Sequence, residues 1–498
     1  MTLRSRLHYL VPIGIILAYG AFYFLLVERL PFCWEDPWWI KRAPAIGVSL
    51  LRILNPLLAQ GDPFFDRPGE DLVLRILSQA FGDRPIFFYA FKIFSCLALA
   101  LVAYFLILKS TRSIFASTVG MILTLAFVGN IESTIWICDF LVPSMLLSVT
   151  AGALLYLAIV RHDNNPYLAA AVVVITLVAY QTKASALILP AAFLVYLVLE
   201  RRSPGPRLTM FSMVLIAMLA YVALHHLHAG DRSVLLQPLR QNWYRLFRTA
   251  WVTCSILVMM HLIVLIVVYF KRGRPDPLIR YLLSILGVSF AFVAFMPSLE
   301  RRYLGILLVP MAFLYPVLLG RLSEQKAIRA ALHVWIAVLV VVLFVGANTY
   351  GALKYRLLLG AHVAKDNAVE WIEANYRDKH VYYAYWREYF NVEHAKNEYA
   401  LLSYSRIGRE EFLEAASALC AQRKVDLLCV TFPLPGRRAL TVREGENGSV
   451  FDQWMGAMKR LGGGVPKLYV YESLTPRDCE YIFDTQAPMN PYWRGAAR

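Results

Sequence analysis

The stretch Ala330-Ala-Leu-His-Val-Trp-Ile-Ala-Val-Leu-Val-Val-Val-Leu-Phe-Val-Gly-Ala-Asn-Thr-Tyr-Gly-Ala352 contains no Asp, Glu, Lys or Arg. At 1.5 Å per residue, a helix of this length crosses the roughly 30 Å hydrocarbon core of a bilayer. Similar runs recur upstream, and the chain of 498 residues is 58% hydrophobic and only 17% charged. Soluble domains average about 45–50% hydrophobic and 25% charged residues. The sequence therefore predicts a polytopic α-helical membrane protein.

About eleven transmembrane helices are predicted, together with their orientation. The predicted spans are 8–28, 86–108, 114–131, 140–160, 167–182, 184–199, 208–226, 250–270, 280–297, 303–320 and 330–352. With a cytoplasmic N-terminus, the cytoplasmic connections are all basic: 109–112, 161–165, 201–207, 271–280 and 321–329. Short loops rich in Lys and Arg stay on the cytoplasmic side. This pattern predicts a multi-pass protein of the cell inner (plasma) membrane, and it explains much of the net charge of +16 without nucleic acid.

After residue 352 the composition changes to that of a soluble domain, 353–498, which the predicted topology places outside the cytoplasm (periplasmic). Helical patterns alternate with three strand-like segments: His380-Val-Tyr-Tyr-Ala-Tyr-Trp386, Asp426-Leu-Leu-Cys-Val-Thr-Phe432 and Leu468-Tyr-Val-Tyr471. This alternation predicts a small α/β domain with a mostly parallel sheet. Because an extracytoplasmic compartment is oxidising, one disulfide among the cysteines of this domain is possible.

The long first outward loop, 29–85, contains the first candidate site. It opens with Cys33-Trp-Glu-Asp-Pro-Trp-Trp39. One interpretation is an interfacial aromatic belt with solvated carboxylates. The other is a catalytic base, Asp36 or Glu35, that accepts the proton of an acceptor hydroxyl. In that case Trp34 and Trp38 offer flat apolar surfaces to a sugar or lipid.

The rest of this loop contains amphipathic stretches, 43–58 and 71–81, which are predicted to lie in the membrane plane. Its remaining acids are interpreted as solvated: Asp62, Asp66, Glu70 and Asp71.

Cations on the predicted outward face form the second candidate site. Lys183 lies in a tight turn between two apolar spans, and Arg301 and Arg302 lie in the turn after Pro297. The positive-inside rule disfavours cations there, and a phosphate in the headgroup region would compensate them.

Glu132 and Asp139 lie near the outward ends of the third and fourth spans. For these two acids a buried ion pair, a helix cap and a catalytic role are alternatives. No spacing of Cys and His predicts a metal site.

Four sequence segments occur in the same order as the motifs of a known protein family. Arg67-Pro68 precedes a Leu-rich stretch that ends at Phe81-Gly82. Asn130-Ile-Glu132-Ser-Thr-Ile-Trp136-Ile ends the third span, and Tyr180-Gln-Thr-Lys183-Ala-Ser-Ala-Leu-Ile-Leu-Pro190 forms a later turn. Arg302-Tyr303-Leu, followed by Pro310, comes last. Together with the carboxylates after span one, they resemble the GT-C glycosyltransferases, in the branch of protein O-mannosyltransferases and lipid A aminoarabinose transferases.

The resemblance covers roughly residues 1–350, with two departures: Asn130 replaces the usual His, and Ala184 replaces an acid. It implies a GT-C-like fold and an inverting transfer of a sugar from a polyprenyl-phosphate donor to the hydroxyl of a glycan, lipid or protein. No cofactor is implied, and a metal is left open. Arg302, Lys183 and Arg301 would bind the donor phosphate, while Arg67, Glu132 and Asp139 join the two tryptophans as candidates for acceptor or sugar binding.

Two other functions fit a basic polytopic chain. A transporter or flippase of lipid-linked glycans would be expected to show internal repeats and broken spans in paired positions. A glycan polymerase or ligase would be expected to carry a large outward loop in mid-chain.

Overall fold

A computed structural model shows the fold of the chain in the following parts. The described residues are 3–33, 40, 68–82, 84–128, 136–137, 139–160, 165–200, 250–271, 276–294, 304–324, 330–376, 379, 381–384, 413–414, 417–418, 420–421, 426–430, 432–444 and 467–486. They belong to two compact units, one within Met1–Phe24 and Ala43–Ala352 and the other within Leu25–Arg42 and Leu353–Arg498.

The first unit is built from helices. They are α1 (Leu3–Val27), α2 (Pro68–Phe81), α3 (Pro85–Thr111), α4 (Ile114–Val128), α5 (Leu141–Val160), α6 (Pro166–Thr182), α7 (Ile188–Glu200), α8 (Ala250–Phe270), α9 (Pro277–Ala294), α10 (Leu304–Glu324) and α11 (Ala330–Leu358). The last residues of α1 and of α11 belong to the second unit. A 3-10 turn, Ala184–Leu187, precedes α7. Helices therefore lie at each predicted span among the described residues, and the span predicted at 208–226 lies outside them.

Four described helices are long and apolar enough to cross a membrane. The four segments are Tyr9–Val27, Pro85–Thr111, Gly305–Ser323 and Leu332–Leu353. Several others are apolar over 10–17 residues only. At 1.5 Å per residue, a stretch of 13 residues covers about 20 Å, less than the hydrocarbon core. The described helices therefore support a membrane-embedded protein.

Local signals in the sequence explain where several helices begin. The Asn165 side chain accepts a hydrogen bond from the Tyr167 backbone N–H at 3.0 Å, with Pro166 at the first helical position of α6. Asp276 accepts from the Ile279 N–H at 3.1 Å, again with a proline next. Both are N-caps followed by proline, the arrangement that starts a helix most readily.

Helix α10 lies at the centre of the first unit, with almost all of its side chains buried. It packs on α3, α4, α8 and α9. Gly120 of α4 permits part of this packing, since a Cβ there would lie 3.1 Å from Pro316 Cγ and 3.2 Å from the Ala312 carbonyl oxygen of α10. The centre of the unit is therefore apolar, and α4 packs closely on α10 at Gly120.

The second unit contains α12 (Gly360–Asn375), β1 (Val381–Ala384), β2 (Leu427–Val430), β3 (Thr441–Glu444), β4 (Lys467–Glu472) and α13 (Pro476–Gln486). The four strands form one sheet in the order β1-β2-β4-β3. Helix α12 packs on one face through Ala364, Ala368 and Ile372. Helix α13 packs on the other through Cys479 and Ile482. This unit is an α/β layer structure, as the sequence predicts.

The prediction of a mostly parallel sheet is wrong. Among the four strands that the structure describes, only β1 and β2 pair in parallel, whereas β4 is antiparallel to both β2 and β3. Three strands run in one direction, and β4 inserts between two of them in the opposite direction. The sequence pattern missed β3, Thr-Val-Arg-Glu, because its alternation of half-buried and exposed residues is short and partly charged, as is common in edge strands.

Candidate functional site

A buried ion pair joins two of the predicted site residues. The Lys183 Nζ lies 2.8 Å from Asp139 Oδ1, and the two side chains are only 8% and 1% exposed. Asp139 precedes α5, while Lys183 ends α6 and donates its backbone N–H to the Ala179 carbonyl. The Ser144 hydroxyl of α5 donates a 3.0 Å hydrogen bond to the Ala179 carbonyl of α6 and so links the two helices. Of the alternatives for Asp139, the structure therefore shows the buried ion pair.

A second lysine reaches the same place from α3. Lys92 has no exposed surface, and its Nζ donates a hydrogen bond to the Asp139 backbone carbonyl. The ammonium lies 5.4 Å from the centroid of the Phe140 ring, within the range of a cation–π interaction. Two ammonium groups therefore converge on Asp139, one at its side chain and one at its backbone.

Two more carboxylates lie at the start of α2. Glu70 and Asp71 are completely buried, although the sequence predicts them to be solvated; that prediction is wrong. Their position in the first turn of a helix suits the partial positive charge of the helix N-terminus. Glu70 also interacts electrostatically with Lys92, as does Asp139.

Close packing of α2 on α6 explains this burial. A Cβ on Gly69 would lie 2.7 Å from Thr182 Oγ1 and 3.2 Å from the Gln181 carbonyl oxygen. The absence of a side chain therefore lets the start of α2, which carries the two acids, approach Gln181 and Thr182, the residues that precede Lys183. The name buried charge cluster is used below for Glu70, Asp71, Lys92, Asp139 and Lys183.

Replacing Gly69 by Ala should lower the stability of the protein by about 1–3 kcal/mol, the usual range for overpacking a close contact. The reason is that Thr182 or the backbone of α6 must move to accommodate the methyl group. Thermal unfolding of the purified protein in detergent measures the change. Gly287→Ala in α9 is the matched control, since a Cβ there meets nothing within 4 Å. Equal unfolding temperatures for the two variants would contradict the close approach.

The chemistry of the cluster follows from its burial. Ionised side chains at membrane depth are expensive and occur where they pair with each other or bind a substrate or ion. Lysines whose ammonium groups face one small region can stabilise a phosphate, while carboxylates can hold those lysines in place or accept a proton. Because the cluster contains three carboxylates and two lysines, an anionic group could bind there only together with cations from outside the cluster.

Lys92 is not among the site residues predicted from the sequence. The signal was present, since Lys92 is the only charged residue in the apolar run 86–108. A charged side chain within such a run marks a functional position by default.

The remaining predicted site residues lie outside the described residues. They are Trp34, Glu35, Asp36, Trp38, Arg67, Glu132, Arg301 and Arg302. Among the residues that are described, no group of three or more His, Cys, Asp or Glu side chains could hold a metal ion.

No model of a known protein family matches the sequence. Nor does any curated protein show significant similarity to it.

Proposed function

We propose that this chain is an inverting glycosyltransferase of the GT-C type. It would move a sugar from a polyprenyl-phosphate donor to a hydroxyl of a glycan, lipid or protein at the outer face of the inner membrane. About eleven spans, a cytoplasmic N-terminus and an extracytoplasmic second unit complete the proposal. The observation that carries it is the buried charge cluster, in which two lysines from different helices converge on Asp139.

The donor phosphate would bind at Lys183, with Arg302 and Arg301 as further cations, while Lys92 would hold the Asp139 backbone in place. The acceptor oxygen attacks the anomeric carbon from the side opposite the phosphate, and the bond between that carbon and the phosphate oxygen breaks. The electron pair of this bond stays on the phosphate, whose growing negative charge the cations stabilise. The acceptor proton passes to Asp36 or Glu35. One such displacement inverts the anomeric carbon.

Asp139 would position Lys183 in this scheme. Its Oδ1 holds the ammonium at 2.8 Å while Lys183 keeps 7% of its surface exposed. A lysine ammonium has three hydrogen-bond donors and can therefore contact more than one anionic oxygen. Glu70 and Asp71 would balance the positive charge when the phosphate is absent.

Deleting the gene tests the proposal in the cell. Mass spectrometry of surface glycans, glycolipids and glycoproteins should show one class of molecule lacking a single sugar, while the polyprenyl-phosphate sugar accumulates. A polymerase or ligase would instead leave short or unattached glycans. A transporter would leave a lipid-linked glycan trapped on the cytoplasmic side.

The proposed topology makes a prediction of its own. An alkaline phosphatase fused after Arg498 should be active, because this enzyme needs disulfides that form only in an oxidising compartment. A fusion after Lys109, in a proposed cytoplasmic loop, is the matched control and should be inactive. The reverse result would remove both the topology and the outer-face mechanism.

Two cysteines of the second unit extend this prediction. Cys420 packs against the core that contains Cys479, and the two thiols interact electrostatically. Burial raises the pKa of both thiols. In an oxidising compartment they should form a disulfide by exchange with an oxidised dithiol protein, which is reduced in return. Alkylation in denaturant before and after reduction, read by mass spectrometry, should find both thiols blocked.

Cys429 is the matched control for this measurement. It is buried on the other face of the sheet, and it should be alkylated without reduction. Free thiols at all three positions in protein purified without reductant would contradict the predicted disulfide.

A further inference from the structure

A cavity of about 810 Å³ lies within the first unit, between α3, α5, α9, α10 and the segment that begins α7. Its lining along α10 extends from Ile306 to Arg321, which corresponds to about 22 Å at 1.5 Å per residue. Most of the lining is aliphatic or aromatic, for example Ile107, Leu189 and Phe313. The cavity is therefore long and apolar, in the direction of the helices.

One end of the cavity is cationic. Lys109 and Arg112, at the end of α3, and Arg321, near the end of α10, all belong to its lining. Lys109 and Arg112 are exposed, so the cavity reaches the protein surface there. Neither of them forms a salt bridge within the part of the chain that the structure describes. Arg321 lies 3.4 Å from Asp276, and both side chains remain partly exposed.

The buried charge cluster lies toward the other end of the same helices. Ser185, two residues after Lys183, contributes to the lining at that end, and so does Ile306 at the start of α10. A ligand with its charge at Lys109 and Arg112 is thus separate from a phosphate at Lys183.

The shape and charge of the cavity select the chemistry of its occupant. A tail of hydrocarbon suits the aliphatic walls, and an anionic head suits three cations at the mouth. Basic pockets between transmembrane helices on the cytoplasmic side bind anionic lipid headgroups. Tyr156, which lines the cavity and interacts electrostatically with Arg321, adds a hydroxyl near the mouth.

We propose that this cavity is a binding site for an anionic phospholipid, whose phosphate lies at Lys109, Arg112 and Arg321 and whose acyl chain fills the apolar interior. The site is independent of the proposed sugar transfer and lies at the opposite end of the bundle from the donor phosphate. The bound lipid would join helices α3, α5, α9 and α10.

Native mass spectrometry of the purified full chain tests this site, with phosphatidylglycerol and phosphatidylcholine of identical acyl chains as probes. Phosphatidylglycerol should be retained and should raise the unfolding temperature, and phosphatidylcholine should do neither. The double variant Lys109→Gln, Arg112→Gln should bind phosphatidylglycerol at least about tenfold more weakly, since it removes two of the three cations that contact the phosphate. Both positions are exposed, so the variant should fold normally.

Two further variants test the contacts of the lipid headgroup and those of the acyl chain separately. Lys271→Gln removes an exposed lysine that follows α8 and does not line the cavity, so binding should be unchanged. Ala153→Phe fills the interior and should abolish retention while the cations remain. Equal retention of the two lipids, or wild-type binding by the double variant, overturns the proposal. Displacement of phosphatidylglycerol by polyprenyl phosphate at lower concentration also overturns it, because the cavity would then belong to the donor.

Discussion

Asp36→Asn should reduce the rate of sugar transfer by about 100- to 10,000-fold, the usual effect of removing a general base. The change keeps the shape of the side chain and removes its ability to accept the acceptor proton. We favour Asp36 over Glu35 because the following Pro37 restricts Asp36 to extended backbone geometry, which fixes the direction of its side chain. Initial rates of transfer by the purified protein in lipid measure the effect.

Glu35→Gln is the matched control, since it makes the same chemical change one residue earlier. Its effect on the rate should be much smaller, and both variants should bind the donor and unfold at the wild-type temperature. If both variants and their combination transfer sugar at nearly the wild-type rate, the segment Cys33–Trp39 is an aromatic membrane anchor and the base is elsewhere.

The second large effect concerns the ion pair. Lys183→Met should destabilise the protein by about 3–5 kcal/mol, because it leaves the Asp139 carboxylate buried without that partner. Adding Asp139→Leu should restore most of this stability, since replacing a whole buried ion pair by apolar residues is often nearly neutral. Donor turnover should stay low in the double variant because the phosphate still lacks Lys183. Stability and activity are thereby measured separately.

An exposed ion pair supplies the comparison. Lys379 and Asp426 lie 3.4 Å apart in the second unit, with side chains 52% and 35% exposed. Lys379→Met should change the stability by at most about 1 kcal/mol, as for most surface pairs. The account of Lys183 fails if the double variant regains wild-type donor turnover together with its stability, because Lys183 would then have only a structural role.

Much of the fold could be predicted because its signals are local. Apolar runs predict the positions of the helices. The capping residue Asn165 and the following Pro166 mark the start of α6 to within two residues. The direction of β4 could not be read in this way, since it depends on β3, whose four residues show little strand character. Pairing between strands is decided by long-range packing that no window of sequence contains.

The candidate site, like the sheet, could be predicted only in part from local sequence. The position of Lys183 in a turn between apolar spans predicts a site residue, but its partner Asp139 is 44 residues away in the sequence. Lys92 meets Asp139 across 47 residues. The sequence predicts solvated side chains for Glu70 and Asp71. Their burial depends on the close approach of α2 to α6 at Gly69, which a local sequence pattern does not reveal. Residue types and local position identified candidates, while the set that converges is a property of the tertiary structure.

The most direct test is a transfer assay with purified protein in lipid vesicles. The donor is a polyprenyl-phosphate sugar with a labelled sugar, and the acceptor is envelope material extracted from cells that lack the gene. We expect labelled sugar to appear on the acceptor, with inverted anomeric configuration, as an equal amount of polyprenyl phosphate is released. An intact donor, with lipid-linked glycan crossing the vesicle membrane instead, would contradict it.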